Sequence, residues 1–174
     1  MTLIVALTHT EGVILFNKYV ILELAYSDIL GFNAHFLIKS PMSYTVAKKY
    51  HEHLEKSLEV IMCVADSYNN HKVYRFFEVL QFLRKRYAIL QRHFGNGIQF
   101  GYKGRSFQRD ILVKCNIPNA NIENFGIPSI KMLKLYYPFV KRRCIYHKTF
   151  YNKCAQHILR LINIHLNHSI LSTP

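Results

Sequence analysis

The first forty residues carry the hydrophobic pattern of three β-strands. Apolar runs at residues 2–13 and 18–28 are rich in β-branched and aromatic side chains, and residues 32–40 alternate between apolar and polar positions. The turn "DILG" at 28–31 separates the second run from the third, and Pro41 follows the third. Because the connections between consecutive strands are short, the pattern predicts an antiparallel meander.

After Pro41 the hydrophobic period becomes helical. Residues 43–64 have helical composition, and residues 69–94 place apolar side chains at the spacing of an amphipathic helix. The rest of the chain predicts a strand at 98–102, a helix at 106–115 capped by Ser106, a short strand near 121–123, a helix beginning near Pro128 and a closing helix at 151–166. This order predicts one α/β domain spanning residues 1–174, a mixed sheet flanked by helices that resembles the ribonuclease H-like exonuclease fold.

The charge of the chain is concentrated in its second part. Residues 1–70 have a net charge of −2 and residues 71–174 a net charge of +15, within a total of +13. A surface this basic attracts polyanions and releases their counterions on binding. We therefore expect nucleic acid as the partner. An anionic membrane, an acidic protein and a merely solvated basic surface are the alternatives.

The N-terminal sequence indicates an intracellular protein, in the cytoplasm or the nucleus. The opening "MTLIVAL" lacks a basic n-region and a cleavage site, and the next apolar stretch contains Asn17, Lys18 and Glu23, which makes it too polar to span a bilayer. In a reducing compartment, clustered cysteine and histidine favour a metal site over a disulfide.

One short stretch, "CIYHKTFYNKC" at 144–154, supplies three such ligands. Cys144 and His147 are separated by two residues, and Cys154 lies where the closing helix is expected to begin. Tetrahedral zinc prefers thiolate and imidazole and needs a fourth ligand, which spacing leaves open among Cys63, Cys115, His157 and several carboxylates. The alternative is a lone buried Cys154 beside an unrelated surface cysteine and histidine.

Carboxylates for two-metal nuclease chemistry are scarce. The exonuclease branch of the ribonuclease H-like fold carries Asp-x-Glu on its first strand, and the matching tripeptide here is His9-Thr10-Glu11. With Asp110, Glu11 is a residual candidate for holding a single ion. A complete two-metal site is not expected.

Two clusters of basic residues are candidates for binding nucleic acid. The segment "GYKGRSFQR" combines Lys103, Arg105 and Arg109 with Tyr102 and Phe107, a mixture that suits single strands because bases stack and phosphates pair with cations. The alternative is a solvated turn whose aromatic rings point inward. The second cluster is the run Lys141, Arg142 and Arg143.

Several segments together resemble the Maelstrom domain and related exonuclease-fold domains of insect transposon-derived and viral proteins. They are "VILELAYSD…AHFLIKSP", "YKGRSFQRDIL", "NIENFGIPSIKML" and "CIYHKTFYNKCAQHILRLI", which together extend over about residues 1–168. The resemblance implies that the catalytic carboxylates are missing and that a Glu-Cys-His-Cys zinc site is present. Its ligands would be Glu23, Cys144, His147 and Cys154, so that zinc ties the second strand to the last helix.

The resulting expectation is a zinc-stabilised, nuclease-like domain that binds RNA or single-stranded DNA without a complete catalytic site. By resemblance, its setting would be small-RNA (piRNA) transposon silencing or a mobile element. An active single-strand ribonuclease or 3′–5′ exonuclease and a protein-interaction scaffold are the alternatives.

Overall fold

The structure, a computed structural model, describes residues 2–15, 17–40, 72–140 and 154–171. The predicted helix at 43–64 lies outside these residues. Six strands are described: β1 Leu3–Leu15, β2 Lys18–Asp28, β3 Asn33–Ile38, β4 Val73–Tyr74, β5 Ile98–Tyr102 and β6 Asn119–Asn121.

These strands form one mixed sheet in the order β4-β3-β2-β1-β5-β6. Strands β1, β2 and β3 pair antiparallel, so the predicted meander is confirmed. The outer strands add in parallel, with β5 beside β1, β6 beside β5 and β4 beside β3. The prediction of an α/β fold with a mixed sheet is confirmed at this level.

Helices cover both faces of the sheet. They are α1 Phe76–Phe94, α2 Ser106–Lys114, α3 Ile130–Tyr136 and α4 Ala155–Leu171, together with a 3-10 helix at Ile122–Phe125. Residues of α1 and α2 pack in one hydrophobic core with Leu24, Tyr26 and Phe100. Residues of α3 and α4 pack in a second core with Leu7 and Ala25.

The pleat of β2 decides which side chains meet which helices. Successive residues of a strand point to opposite faces. Leu24 and Tyr26 therefore face α1 and α2, whereas Glu23 and Ala25 face α4. The strand is central in the sheet, and Glu23 is 1 % exposed. Glu23 therefore does not reach solvent, as it could from an edge strand.

Several boundaries differ from the sequence predictions. The helix predicted from residue 69 begins at Phe76, because residues 73–74 pair with β3 as the short strand β4. Arg105 rather than Ser106 holds the N-cap position of α2. The strand near 121–123 lies at 119–121, where the side chain of Asn121 accepts a hydrogen bond from the Glu123 N–H and starts the 3-10 helix. Within the described residues, no helix is both long and apolar enough to cross a membrane.

Candidate metal centre

Glu23 is the carboxylate around which the centre is built. Its neighbours in β2, Leu22 and Leu24, are fully buried, so the local sequence places a charge in an apolar strand. A buried carboxylate is costly unless it is paired or hydrogen-bonded. Glu23 therefore needs partners on the α4 face of the sheet.

His35 on β3 is the first of these partners. The register pairs Ala25 with His35 and Glu23 with Leu37, which makes His35 the diagonal neighbour of Glu23 on the same face. His35 Nε2 lies 2.5 Å from Glu23 Oε1, and the two side chains are 5 % and 1 % exposed. This contact couples an imidazole to the buried carboxylate.

The start of α4 is the second partner. The N–H of Ala155 donates to Glu23 Oε1 at 3.0 Å, across 132 positions of sequence. The first amides of a helix lack partners within the helix and carry the positive end of its dipole, so they suit a carboxylate. Cys154 lies immediately before this amide, is 1 % exposed and carries a thiol rather than a disulfide.

Glu23, His35 and Cys154 together form a cluster of possible metal ligands. Their carboxylate, imidazole and thiol donor atoms all lie within 4.8 Å of one another. A tetrahedral zinc ion with bonds of about 2.0–2.3 Å would space its ligand atoms roughly 3.3–3.8 Å apart. Small side-chain movements would meet this spacing, so the donor set and its geometry fit a metal ion.

The sequence-predicted ligand set is brought together in part. Glu23 and Cys154 meet, although they belong to opposite ends of the chain. Cys144 and His147 lie outside the described residues, as does Cys63. Of the alternative fourth ligands, His157 is buried in α4, one turn after Cys154.

Cys115 belongs to the other side of the sheet. It packs in the core formed with α1 and α2, and burial raises the pKa of its thiol to about 11. A deprotonated thiol is the form that binds metal, so this environment disfavours binding. Cys115 is therefore excluded as the fourth ligand.

His35 is the ligand candidate that sequence reasoning missed. The signal that would have found it is the predicted turn at 28–31, because a tight turn fixes the register of the hairpin. Counting back from that turn places Ser27 opposite Asn33, Ala25 opposite His35 and Glu23 opposite Leu37. A histidine diagonal to a carboxylate in an apolar strand then indicates a shared site.

A second polar cluster lies on the same face of the sheet. His9 Nε2 is 2.9 Å from Glu11 Oε1, and Glu11 is the direct cross-strand neighbour of Glu23. Further along, Lys103 Nζ donates to Glu123 Oε1 at 2.9 Å. His9 therefore pairs with the glutamate two residues later in the same strand.

Glu11 and Asp110 lie on opposite faces of the sheet. The side chain of Thr10 donates to Gln108 Oε1 on α2 at 3.0 Å, so its neighbour Glu11 points away from α2. Asp110 is an exposed residue of α2. The fold therefore does not bring these two carboxylates together on one face.

The predicted nucleic-acid residues of "GYKGRSFQR" separate into two groups. Lys103 is 6 % exposed and is paired with Glu123, which corrects its assignment to an exposed basic turn. Tyr102 is also buried, in agreement with the alternative that the rings point inward. Arg105 and Arg109 are exposed. The run Lys141, Arg142 and Arg143 lies outside the described residues.

Comparison of the chain with protein-family models, with curated proteins and with solved structures finds no significant match.

Proposed function

We propose that the chain is a zinc-stabilised, nuclease-like domain that binds RNA or single-stranded DNA. The convergence of Glu23, His35 and Cys154 within 4.8 Å is the observation that carries the metal part of this proposal. Carboxylate, imidazole and thiolate are all accepted ligands of zinc. They come from β2, β3 and the start of α4, so a shared ion would join three separate elements.

The position of the cluster supports a structural ion rather than a catalytic one. All three side chains are at most 5 % exposed, whereas a catalytic zinc keeps an open position for water or substrate. When bound, zinc would supply a cross-link between the sheet and the last helix. The sequence resemblance implies that Cys144 and His147 are ligands together with Glu23 and Cys154; with His35 as a third ligand, one of these two would complete a tetrahedral set.

The strand order supports a ribonuclease H-like architecture as part of the proposal. An antiparallel β3-β2-β1 meander extended in parallel by β5 and β6 agrees with the element order of that fold. Glu11 and Asp110, the residual catalytic candidates, do not share a face. The proposal is therefore a binding domain rather than a two-metal nuclease.

The basic second part of the chain supports a nucleic-acid partner. Residues 71–174 carry a net charge of +15, and Arg105 and Arg109 are exposed. Counterion release from a phosphate backbone favours association with such a surface. Small-RNA transposon silencing or a mobile element would be a setting consistent with this chemistry.

Elemental analysis of the purified full chain tests the metal part. We expect about one equivalent of zinc per chain, and loss of zinc from the Cys154→Ser and Glu23→Gln variants. Cys115→Ser is the matched control, because it removes a buried thiol from the other face and should retain the metal. Absence of zinc from a chain purified with zinc present would refute a zinc centre.

Binding of a labelled single-stranded RNA at increasing salt tests the partner. We expect affinity to fall as salt rises, with a logarithmic slope of roughly −0.7 for each phosphate neutralised. No affinity at low salt would contradict nucleic-acid binding and favour the scaffold alternative. Cleavage of the RNA that depends on Glu11 would favour the nuclease alternative instead.

A further inference from the structure

A cavity on the face opposite the metal centre has no role in the proposal above. Its volume is about 510 Å³, within the range of about 300–1,000 Å³ that is usual for small-molecule sites. Strands β2 and β3, the start of α1 and one side of α2 surround it. Its apolar walls come from Tyr19, Val20, Ile21, Ile38, Phe76, Phe107 and Ile111.

Aromatic rings form two sides of this cavity. Phe107 stacks on Tyr19, with ring centroids 4.4 Å apart and planes 28° from parallel. Phe76 lies on the α1 side, and Lys114 Nζ is 5.1 Å from its ring centroid. Flat aromatic surfaces beside a cation are the combination that binds nucleobases by stacking.

Cations predominate among the charged residues of the cavity. Lys39, Arg75 and Lys114 line it and are exposed, against a single carboxylate, Asp110. Among the described residues, none of these four side chains forms an ion pair with another side chain. The cavity therefore combines an apolar, aromatic interior with cations available to an anion.

We infer that this cavity binds one nucleotide of a single-stranded nucleic acid, with the base against the aromatic walls and its phosphate at Lys39, Arg75 and Lys114. The inference rests on the proposed nucleic-acid partner and adds the place of binding. Arg105 and Arg109 flank Phe107 in sequence at the start of α2, where they can bind the neighbouring phosphates. Of the three cations predicted in the turn, only Arg105 and Arg109 are available to the nucleic acid, because Lys103 is buried.

Charge-matched variants test the site by fluorescence anisotropy with a labelled dodecamer of uridine. We expect Arg75→Gln combined with Lys114→Gln to weaken binding and to make the salt slope less steep by about 0.7 for each phosphate that the variant no longer neutralises. The control combines Lys85→Gln with Arg92→Gln, two exposed residues of α1 outside the cavity, with the same change in charge. The control should bind more tightly than the cavity variant.

Removal of the aromatic wall gives an independent measurement. Phe107→Ala should lower the affinity by about fivefold or more, because stacking contributes at least about 1 kcal/mol per base. A dodecamer containing 4-thiouridine should form photo-crosslinks to the peptide that contains Phe107 in the unmodified chain. That crosslink keeps the test independent of whether the Phe107→Ala chain folds.

The outcomes separate this inference from the function on which it rests. RNA binding by the unmodified chain, with equally weakened binding by the cavity and control variants and no crosslink to the Phe107 peptide, would overturn the cavity and leave nucleic-acid binding intact. No binding by the unmodified chain at low salt would overturn both. Preferential binding of a labelled fatty acid that RNA does not displace would also overturn the nucleotide site.

Discussion

Glu23 and His35 are diagonal neighbours on adjacent antiparallel strands, and the imidazole Nε2 lies 2.5 Å from the carboxylate Oε1. The same oxygen accepts the N–H of Ala155 at 3.0 Å. One carboxylate atom thus connects β2, β3 and α4. His35 therefore belongs to the candidate metal centre together with Glu23 and Cys154.

The first prediction concerns removal of the imidazole. His35→Ala should destabilise the chain by about 3–5 kcal/mol, because it removes the imidazole from a buried ion pair with the Glu23 carboxylate. Urea unfolding with excess chelator measures this destabilisation without metal, and elemental analysis should show a reduced zinc content. Ala34→Gly, on the same strand, is a control that perturbs β3 without touching the ligands. Unchanged zinc content in His35→Ala would place His35 outside the metal site.

A second prediction concerns the thiol on the other face of the sheet. Burial raises the pKa of Cys115 from 9.0 to about 11. Between those values the folded chain retains a proton that the unfolded chain has released, so this group's stabilising contribution is complete below pH 9 and disappears as pH rises towards 11. Unfolding free energies measured from pH 8 to 10.5 should decline less steeply for Cys115→Ala than for the unmodified chain. Equal slopes would contradict this explanation.

The third prediction concerns the ion pair between Asp28 and Arg86. Asp28 Oδ2 accepts from Arg86 at 2.6 Å and from the hydroxyl of Tyr26 at 2.7 Å, and the Asp28 side chain is 0 % exposed. Asp28→Asn should therefore cost about 3–5 kcal/mol of unfolding free energy, since it leaves the guanidinium without its counter-charge. A double-mutant cycle with Arg86→Met measures the coupling. Additive effects of the two substitutions would show that the pair contributes little.

The fourth prediction concerns the bulge that follows Glu11. A β-carbon built on Gly12 would lie 2.0 Å from the carbonyl oxygen of Val20, a backbone atom that cannot rotate away. Gly12→Ala should therefore destabilise the chain by about 3 kcal/mol or shift the pairing of β1 with β2. Thermal unfolding measures the first effect, and loss of zinc measures the second because a shifted β2 would misplace Glu23. Asn124→Ala, at an exposed position, should change neither.

The sequence predicts the centre of the fold better than its edges. Alternation and turn residues in the first forty positions are local signals, and they correctly predict the meander. Strand β4 has only two residues, which are too few to show an alternating pattern in the sequence. It is a strand because it pairs with β3. Lys103 looks like a surface cation beside two glycines, and its burial depends on Glu123, which the parallel pairing of β5 with β6 brings near.

Some residues of the candidate site can also be predicted from local sequence, whereas others depend on tertiary structure. Glu23 is conspicuous in sequence because a carboxylate interrupts an apolar strand, and Cys154 is conspicuous because it follows Cys144 and His147. His35 has no such neighbour, and its role appears only when strand register is considered. The cavity walls come from four separate segments, and their proximity depends on how α1 and α2 pack on the sheet. The spacing of residues along the chain does not predict that packing.

The bond between Ala155 and Glu23 has a consequence for how the molecule is made. Residue 23 leaves the ribosome long before residue 155, and the two are joined across 132 positions. A nascent chain can pair its first three strands early, whereas the carboxylate receives the amide of α4 only after residue 155 has been synthesised. We therefore expect the bond between Ala155 and Glu23, and any metal uptake beside it, to form after the first three strands have paired.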